Sequence, residues 1–191
     1  STVKAMGEFG AEAVVNPFDR YGAYLVMRLK RPATYRLVTW LMAPPGEPVS
    51  PDVERHEDGL WIVAADGRFG HEITRDLEDA GLDVVLVDPH DGAPDVSGAV
   101  GFIAGGEDDS ANLALAGHAR LVNPAIFLAV RQRSRRNEPL LQAFSPDSVF
   151  IPAQITTQEA LARVITPDFW AFVSYASARD DAWSEAFLER L

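Results

Sequence analysis

The residues of this chain whose types and spacing could do chemistry lie between Ala65 and Asp88. Ala65-Asp66-Gly67-Arg68-Phe69-Gly70 reads A-x-G-x-x-G, and Asp88 follows Gly67 by 21 positions. Such a turn leaves backbone N–H groups free at the start of a helix, where the dipole favours an anion such as a pyrophosphate. An acid about 20 positions further on accepts hydrogen bonds from ribose hydroxyls. The chemistry these residues could do is recognition of a dinucleotide. Alanine stands where the fingerprint has its first glycine. A βαβ unit that kept its shape and lost its ligand would read in the same way.

Those residues need a strand before them, a helix after them and a second strand to carry the acid. The sequence supplies all three. Leu60–Ala64 is a short apolar run rich in β-formers. Phe69, Ile73 and Leu77 recur at steps of four and share one helical face. Gly81 stops that helix. Asp83–Val87 is apolar nearly throughout, as expected of a strand buried on both faces. Residues 89–98 then hold two prolines and two glycines, which is a loop. A full Rossmann half would place a helix and a third strand there, and these help to enclose an adenosine. They are expected to be missing or vestigial.

Ala99–Ala104 reads as the next strand, and the helix 110–121 follows it, with Asp108 or Asp109 as N-cap. Gly105 and Gly106 stand between them. They leave room for close backbone approach to a ligand at the carboxyl end of the strand, or simply make a tight turn. Residues 125–130 are another buried strand. Arg131 at its end is placed either to reach a phosphate bidentately or to pair with nearby acids. Residues 137–144 read as a short helix and 149–151 as the last strand. The expected class is α/β, with a Rossmann-like, mostly parallel sheet, a reduced third-strand region and helical-hairpin appendages at both ends.

The appendages come from an internal repeat. At an offset of 135, residues 9–38 lie over 144–173 without a gap. Phe9 meets Phe144, Val14 meets Val149, Pro17 meets Pro152, Arg28 meets Arg163 and Pro32 meets Pro167. Each copy reads as a short helix, a brief strand (13–15 or 149–151) and two helices opened by proline, which is tolerated at a first helical position. The repeat implies that the chain opens in the tail of an upstream domain and contains one full copy. The expected divisions are 1–42 as that tail, 43–59 as a linker, 60–154 as the Rossmann-like domain and 155–191 as a C-terminal appendage. Residues 18–42 carry more apolar surface than a lone hairpin hides, so they need the domain body or a second subunit. Trp183, Phe187 and Leu191, at steps of four, suit either core or a subunit contact.

Composition narrows the function. The 191 residues carry 17 basic and 28 acidic side chains, a formal net charge of −11. That argues against a nucleic-acid footprint and against attraction to an anionic membrane. Cysteine is absent, so disulfides and thiolate metal sites are excluded. No run of 18 apolar residues spans a bilayer, and a cytoplasmic location is the simplest expectation. His71, His90 and His118 show no H-x-x-x-H spacing. No nucleophile elbow, no G-K-[ST] phosphate loop and no second catalytic domain are visible. The chain reads as a non-enzyme without a catalytic or metal site. The acidic segment 47–58, which includes His56, has no ligand spacing.

Together, strand–x–G-R-F-G–helix–strand–Asp88, the E-D-D-S-A-N-L start at Glu107, and Asn123-Pro124–strand–Arg131 resemble the RCK (regulator of K⁺ conductance) or TrkA-N domain. These domains regulate Trk/Ktr-type potassium uptake systems and ligand-gated potassium channels. The likeness covers about residues 60–151. It implies a cytosolic gating domain, peripheral to the inner membrane through a transporter or channel pore. It also implies a homo-oligomer, a dimer or ring built through the helical hairpins. The ligand implied is NAD(H), with ATP or ADP as the alternative. The positions carried over are Ala65, Asp66, Gly67, Arg68, Phe69 and Gly70 for the phosphate turn, and Asp88 for the ribose. Gly105, Gly106 and Arg131 carry over at the ends of the following strands. Ala65 and the missing third-strand segment depart from the family pattern. In tandem members one copy can keep only a structural role, here a dimerisation scaffold held by Trp40 and Trp170.

Overall fold

The structure is a computed structural model that describes residues 15–43, 46–51, 59–133, 135–141 and 143–191. Five parallel strands form one sheet: β1 (Leu60–Ala64), β2 (Asp83–Val87), β3 (Ala99–Ala104), β4 (Phe127–Arg131) and β5 (Ser148–Phe150). Their order is β2-β1-β3-β4-β5. From β1 the chain crosses to β2 on one side and returns to β3 on the other. The strand order therefore reverses between β1 and β3, where open α/β sheets bind ligands. The fold is α/β and Rossmann-like.

Alternation along the strands builds two cores. Trp61, Val63, Phe127 and Ala129 face one way, and helices α1 (Pro17–Lys30) and α3 (Gly67–Asp79) cover them with Tyr21, Leu25, Phe69, Ile73 and Leu77. Ile62, Ala64, Leu128 and Val130 face the other way, under Leu115, Ala116 and Ala119 of α4 (Asp109–Val122). Successive strand residues point to opposite faces, so one apolar run serves both layers. Helix α1 of the N-terminal hairpin thus finds its apolar partner in the sheet, while its companion α2 (Pro32–Leu41) turns Val38 toward Val173 and Trp170 of the C-terminal helices.

One strand departs from expectation. β2 was expected to be buried on both faces, yet its residues are exposed or half-buried throughout. It is the edge of the sheet, because residues 89–98 add no strand beyond it. The loop still contributes Val96, fully buried against the α4 side. The expected helix over 137–144 is a 3-10 turn (Arg135–Asn137) followed by the single turn α5 (Glu138–Leu141).

The C-terminal hairpin pairs α6 (Pro152–Ile165) with α7 (Pro167–Ser177), each start 135 residues after its N-terminal counterpart. Each of the four helices has proline in its first turn. The junction residues match too: Arg31 has φ −137° and ψ 67°, Thr166 φ −135° and ψ 64°. The repeated strand at 13–15 and the helix before it lie outside the described residues, apart from Val15, as do His56 and most of segment 47–58. Helix α8 (Asp181–Leu188) closes on α2, where buried Thr34 bonds Asp181 and Ser184. Trp183 and Phe187 stack on one turn of α8, and Leu191 lies exposed beyond its end.

Candidate functional site

The carboxyl ends of β1, β3 and β4 bring Ala65, Phe69, Gly105 and Arg131 together at the switch point, where open α/β sheets form their ligand crevice. Gly67 opens α3 at φ 57°, in the left-handed region that glycine adopts at low cost. Gly70 sits where a Cβ would be 3.0 Å from the Ala65 carbonyl oxygen, so its glycine lets helix and strand close up. Asp66 is the N-cap residue of α3, yet its side chain accepts no capping hydrogen bond. Asp108 of α4 and Asp180 of α8, in the same position, do cap their helices. The first N–H groups of α3 are therefore left without a side-chain acceptor, the condition a helix start needs to take an anion. Asp66 itself brings a negative charge to that start, and its buried Oδ1 has no hydrogen-bond partner. Arg68 is exposed and pairs with Glu72 one turn on.

Asp88 stands exposed after β2. The backbone N–H of His90 donates to its Oδ1 at 2.8 Å, and His90 Nδ1 lies 2.9 Å from the same oxygen. These bonds hold the Asp88 carboxyl below its ordinary range. The same side-chain bond holds the His90 imidazole above its usual 6.5, and the charges of Asp66 and Asp91 add to that.

The glycines after β3 serve the chain's own packing. A Cβ on Gly105 would fall 2.3 Å from Phe69 Cε1 and 3.0 Å from the Ala65 Cβ. Gly106 donates its N–H to Asn112 Oδ1 and accepts from Asn112 Nδ2. Asn112, fully buried on α4, also donates to the Arg131 carbonyl. It therefore ties the β3 and β4 ends together. It lies inside the E-D-D-S-A-N-L segment, and burial of an amide on an otherwise apolar helix face is the signal that marks it. Gln132 works beside it, bonding the Asp109 carbonyl and accepting from Asn137.

Of the two placements open to Arg131, the structure shows pairing with an acid. Its Nη1 lies 2.9 Å from Glu107 Oε1 and donates to the Gly105 carbonyl. The guanidinium is buried, 5.3 Å from the Phe18 ring centre and 5.1 Å from that of Phe69. Its Nε has no hydrogen-bond partner. Phe69 is accordingly a core residue of the turn, stacked on Phe150 at 5.2 Å and edge-on to Phe18. Among the described residues no group of histidines and acids could hold a metal ion, and no helix is long and apolar enough to cross a membrane.

No family model matches the sequence, and no curated protein is similar to it. The fold has a counterpart among solved structures. The crystal structure of GsuK bound to ADP superposes with a TM-score of 0.59 at 19% identity, over 87% of this chain and 43% of that one. The chain thus spans less than half the length of that protein. A structure of the GsuK RCK domain aligns over 66% of this chain and 31% of that one, with a TM-score of 0.48 and 22% identity.

Proposed function

We propose that this chain is an RCK-type regulatory domain of a potassium-transport system, which docks an adenine nucleotide or NAD(H) at the Gly67–Gly70 turn. The observation that carries the reading is the uncapped start of α3 at the point where strand order reverses. The N–H groups of that first turn would take the phosphates, and Asp88 Oδ2, opposite the oxygen His90 uses, would take a ribose hydroxyl. The shared fold with an ADP-bound protein supports adenine as the base. A nucleotide that prefers one of two arrangements of the assembly would bias a pore attached to it.

Assembly is proposed to run through the hairpins. Helix α1 buries five residues, and α6, its equivalent in the repeat, buries only Glu159. Leu161, Val164 and Ile165 of α6 are exposed by 52%, 81% and 69%. Leu161 and Val164 are the counterparts of Val26 and Leu29, which pack against the sheet from α1, so that face of α6 suits the sheet of a second domain of this kind.

A second reading, an empty scaffold, is favoured by the Arg131–Glu107 pair and by the sheet ending at β2. One titration separates the two. A ligand that binds only the folded state adds about 2.7 kcal/mol of stability at 100 times its dissociation constant. A selective thermal shift with ADP, ATP, NAD⁺ or NADH establishes the nucleotide site. No shift with any of them at millimolar concentration leaves the scaffold.

A further inference from the structure

A dinucleotide needs two half-sites. It crosses an open α/β sheet where strand order reverses, and each half of the fold holds one of its nucleotides. In this chain the two sides of the crossing are built differently. On the β1–β2 side the groups are open. Gly67 and Arg68 are exposed at the uncapped start of α3. Asp88 and residues 90–93 are exposed after β2, where the sheet ends. On the β3–β4 side the polar groups are already bonded within the chain. Gly105 donates its N–H to the Ala64 carbonyl and accepts from Arg131. Gly106 donates to Asn112 and accepts from it, and Asn112 also donates to the Arg131 carbonyl. The Arg131 side chain is 7% exposed and is held by Glu107. A second nucleoside would need such groups to fix its ribose and base, and these are taken.

The crossing itself is closed by contact. Pro89 follows β2 and Gly106 follows β3, with β1 between them in the sheet. A Cβ on Gly106 would fall 3.3 Å from Pro89 Cγ and 3.4 Å from Pro89 Cβ. The proline ring therefore reaches past the end of β1 to the turn after β3, and glycine at 106 lets it come this close. Proline fixes its own φ, so the barrier is stiff.

We infer that the crevice is a half-site, which takes a nucleoside diphosphate and shuts out the second nucleoside of a dinucleotide by the contact of Pro89 with Gly106. The phosphates lie on the first turn of α3 and the ribose on Asp88, and the second phosphate ends at the crossing. This selectivity rests on the nucleotide reading above and narrows it to one ligand class.

The test is isothermal titration of the whole chain, and of its Pro89→Gly variant, with ADP and NAD⁺. The two ligands share adenosine diphosphate and differ in the second nucleoside. The wild type is expected to bind ADP at least about tenfold more tightly than NAD⁺, as a built-in clash does. Pro89→Gly removes the ring at a half-buried loop position and should bring NAD⁺ to within about threefold of ADP. ADP carries its extra terminal charge into both proteins, so a change in the ratio reads the barrier and not the charge. NAD⁺ binding to the wild type as tightly as ADP would overturn the half-site and leave the nucleotide reading standing. A ratio unchanged in Pro89→Gly would overturn it too, because the preference would then not come from the ring. Binding of neither ligand at millimolar concentration would sink the nucleotide reading itself, and the half-site with it.

Discussion

Arg131 Nη1 and Glu107 Oε1 stand 2.9 Å apart, joining the end of β4 to the loop after β3. The pair occupies the buried guanidinium at the crevice with an acid that is itself 62% exposed. An incoming phosphate meets that acid as a like charge. Glu107→Gln removes the charge and keeps the shape. It is expected to tighten ADP binding by up to about fivefold, the equivalent of the ~1 kcal/mol upper end for exposed ion pairs. Thermal stability should hardly move. Isothermal titration of both proteins checks this; unchanged or weaker ADP binding would separate Arg131 from the ligand.

Asp88 and His90 give the crevice a pH signature. The imidazole is held above 6.5 by the Asp88 carboxylate, which is itself held low by the same contact. The histidine's contribution to stability is fully present below its unfolded value and is lost as pH rises through the raised folded value. NMR titration of the His90 ring should give a midpoint above 6.5. Asp88→Asn should bring it back toward that ordinary value. A midpoint indifferent to Asp88→Asn would break the link.

The reach of the sequence is clear from particular residues. Periodicity placed α3 and its buried face, because Phe69, Ile73 and Leu77 obey the helical step and the glycine supplies the turn. The offset of 135 placed all four hairpin helices, because proline starts each of them. The loss of a third strand was legible from prolines and glycines alone. Its consequence was not: an apolar run looks the same at an edge as in the middle, so β2 read as buried on both faces. The site was less legible than the fold. Whether Arg131 meets a phosphate or Glu107 depends on side-chain direction, and whether Gly105 admits a ligand or the Phe69 ring depends on a contact 36 residues away.

That last contact is open to measurement. A Cβ at Gly105 would press on Phe69 and Ala65. Gly105→Ala is expected to cost about 1–3 kcal/mol, as overpacking does. Phe69→Leu frees the space, so the double variant should lose less than the two single losses combined. Denaturant unfolding of the three proteins provides the cycle. Strict additivity would show that Gly105 is not kept for the Phe69 ring.

The repeat offers two equivalent positions with opposite surroundings. Leu29 on α1 is fully buried against the sheet, and Val164, 135 residues later on α6, is 81% exposed. Leu29→Glu puts a charge into a dry core, where unpaired burial of a carboxylate is strongly disfavoured. It is expected to cost more than about 4 kcal/mol and to unfold the chain under mild denaturant. Val164→Glu meets water and should change the unfolding midpoint by no more than about 0.5 kcal/mol equivalent. Its effect belongs to assembly: a self-associating chain should sediment as a monomer once Val164 is charged. If the wild type sediments as an oligomer and Val164→Glu leaves it unchanged, the contact lies on another face of the hairpins. If Val164→Glu destabilises as much as Leu29→Glu, α6 is covered within the chain itself, and the hairpins cannot be the surface through which copies meet.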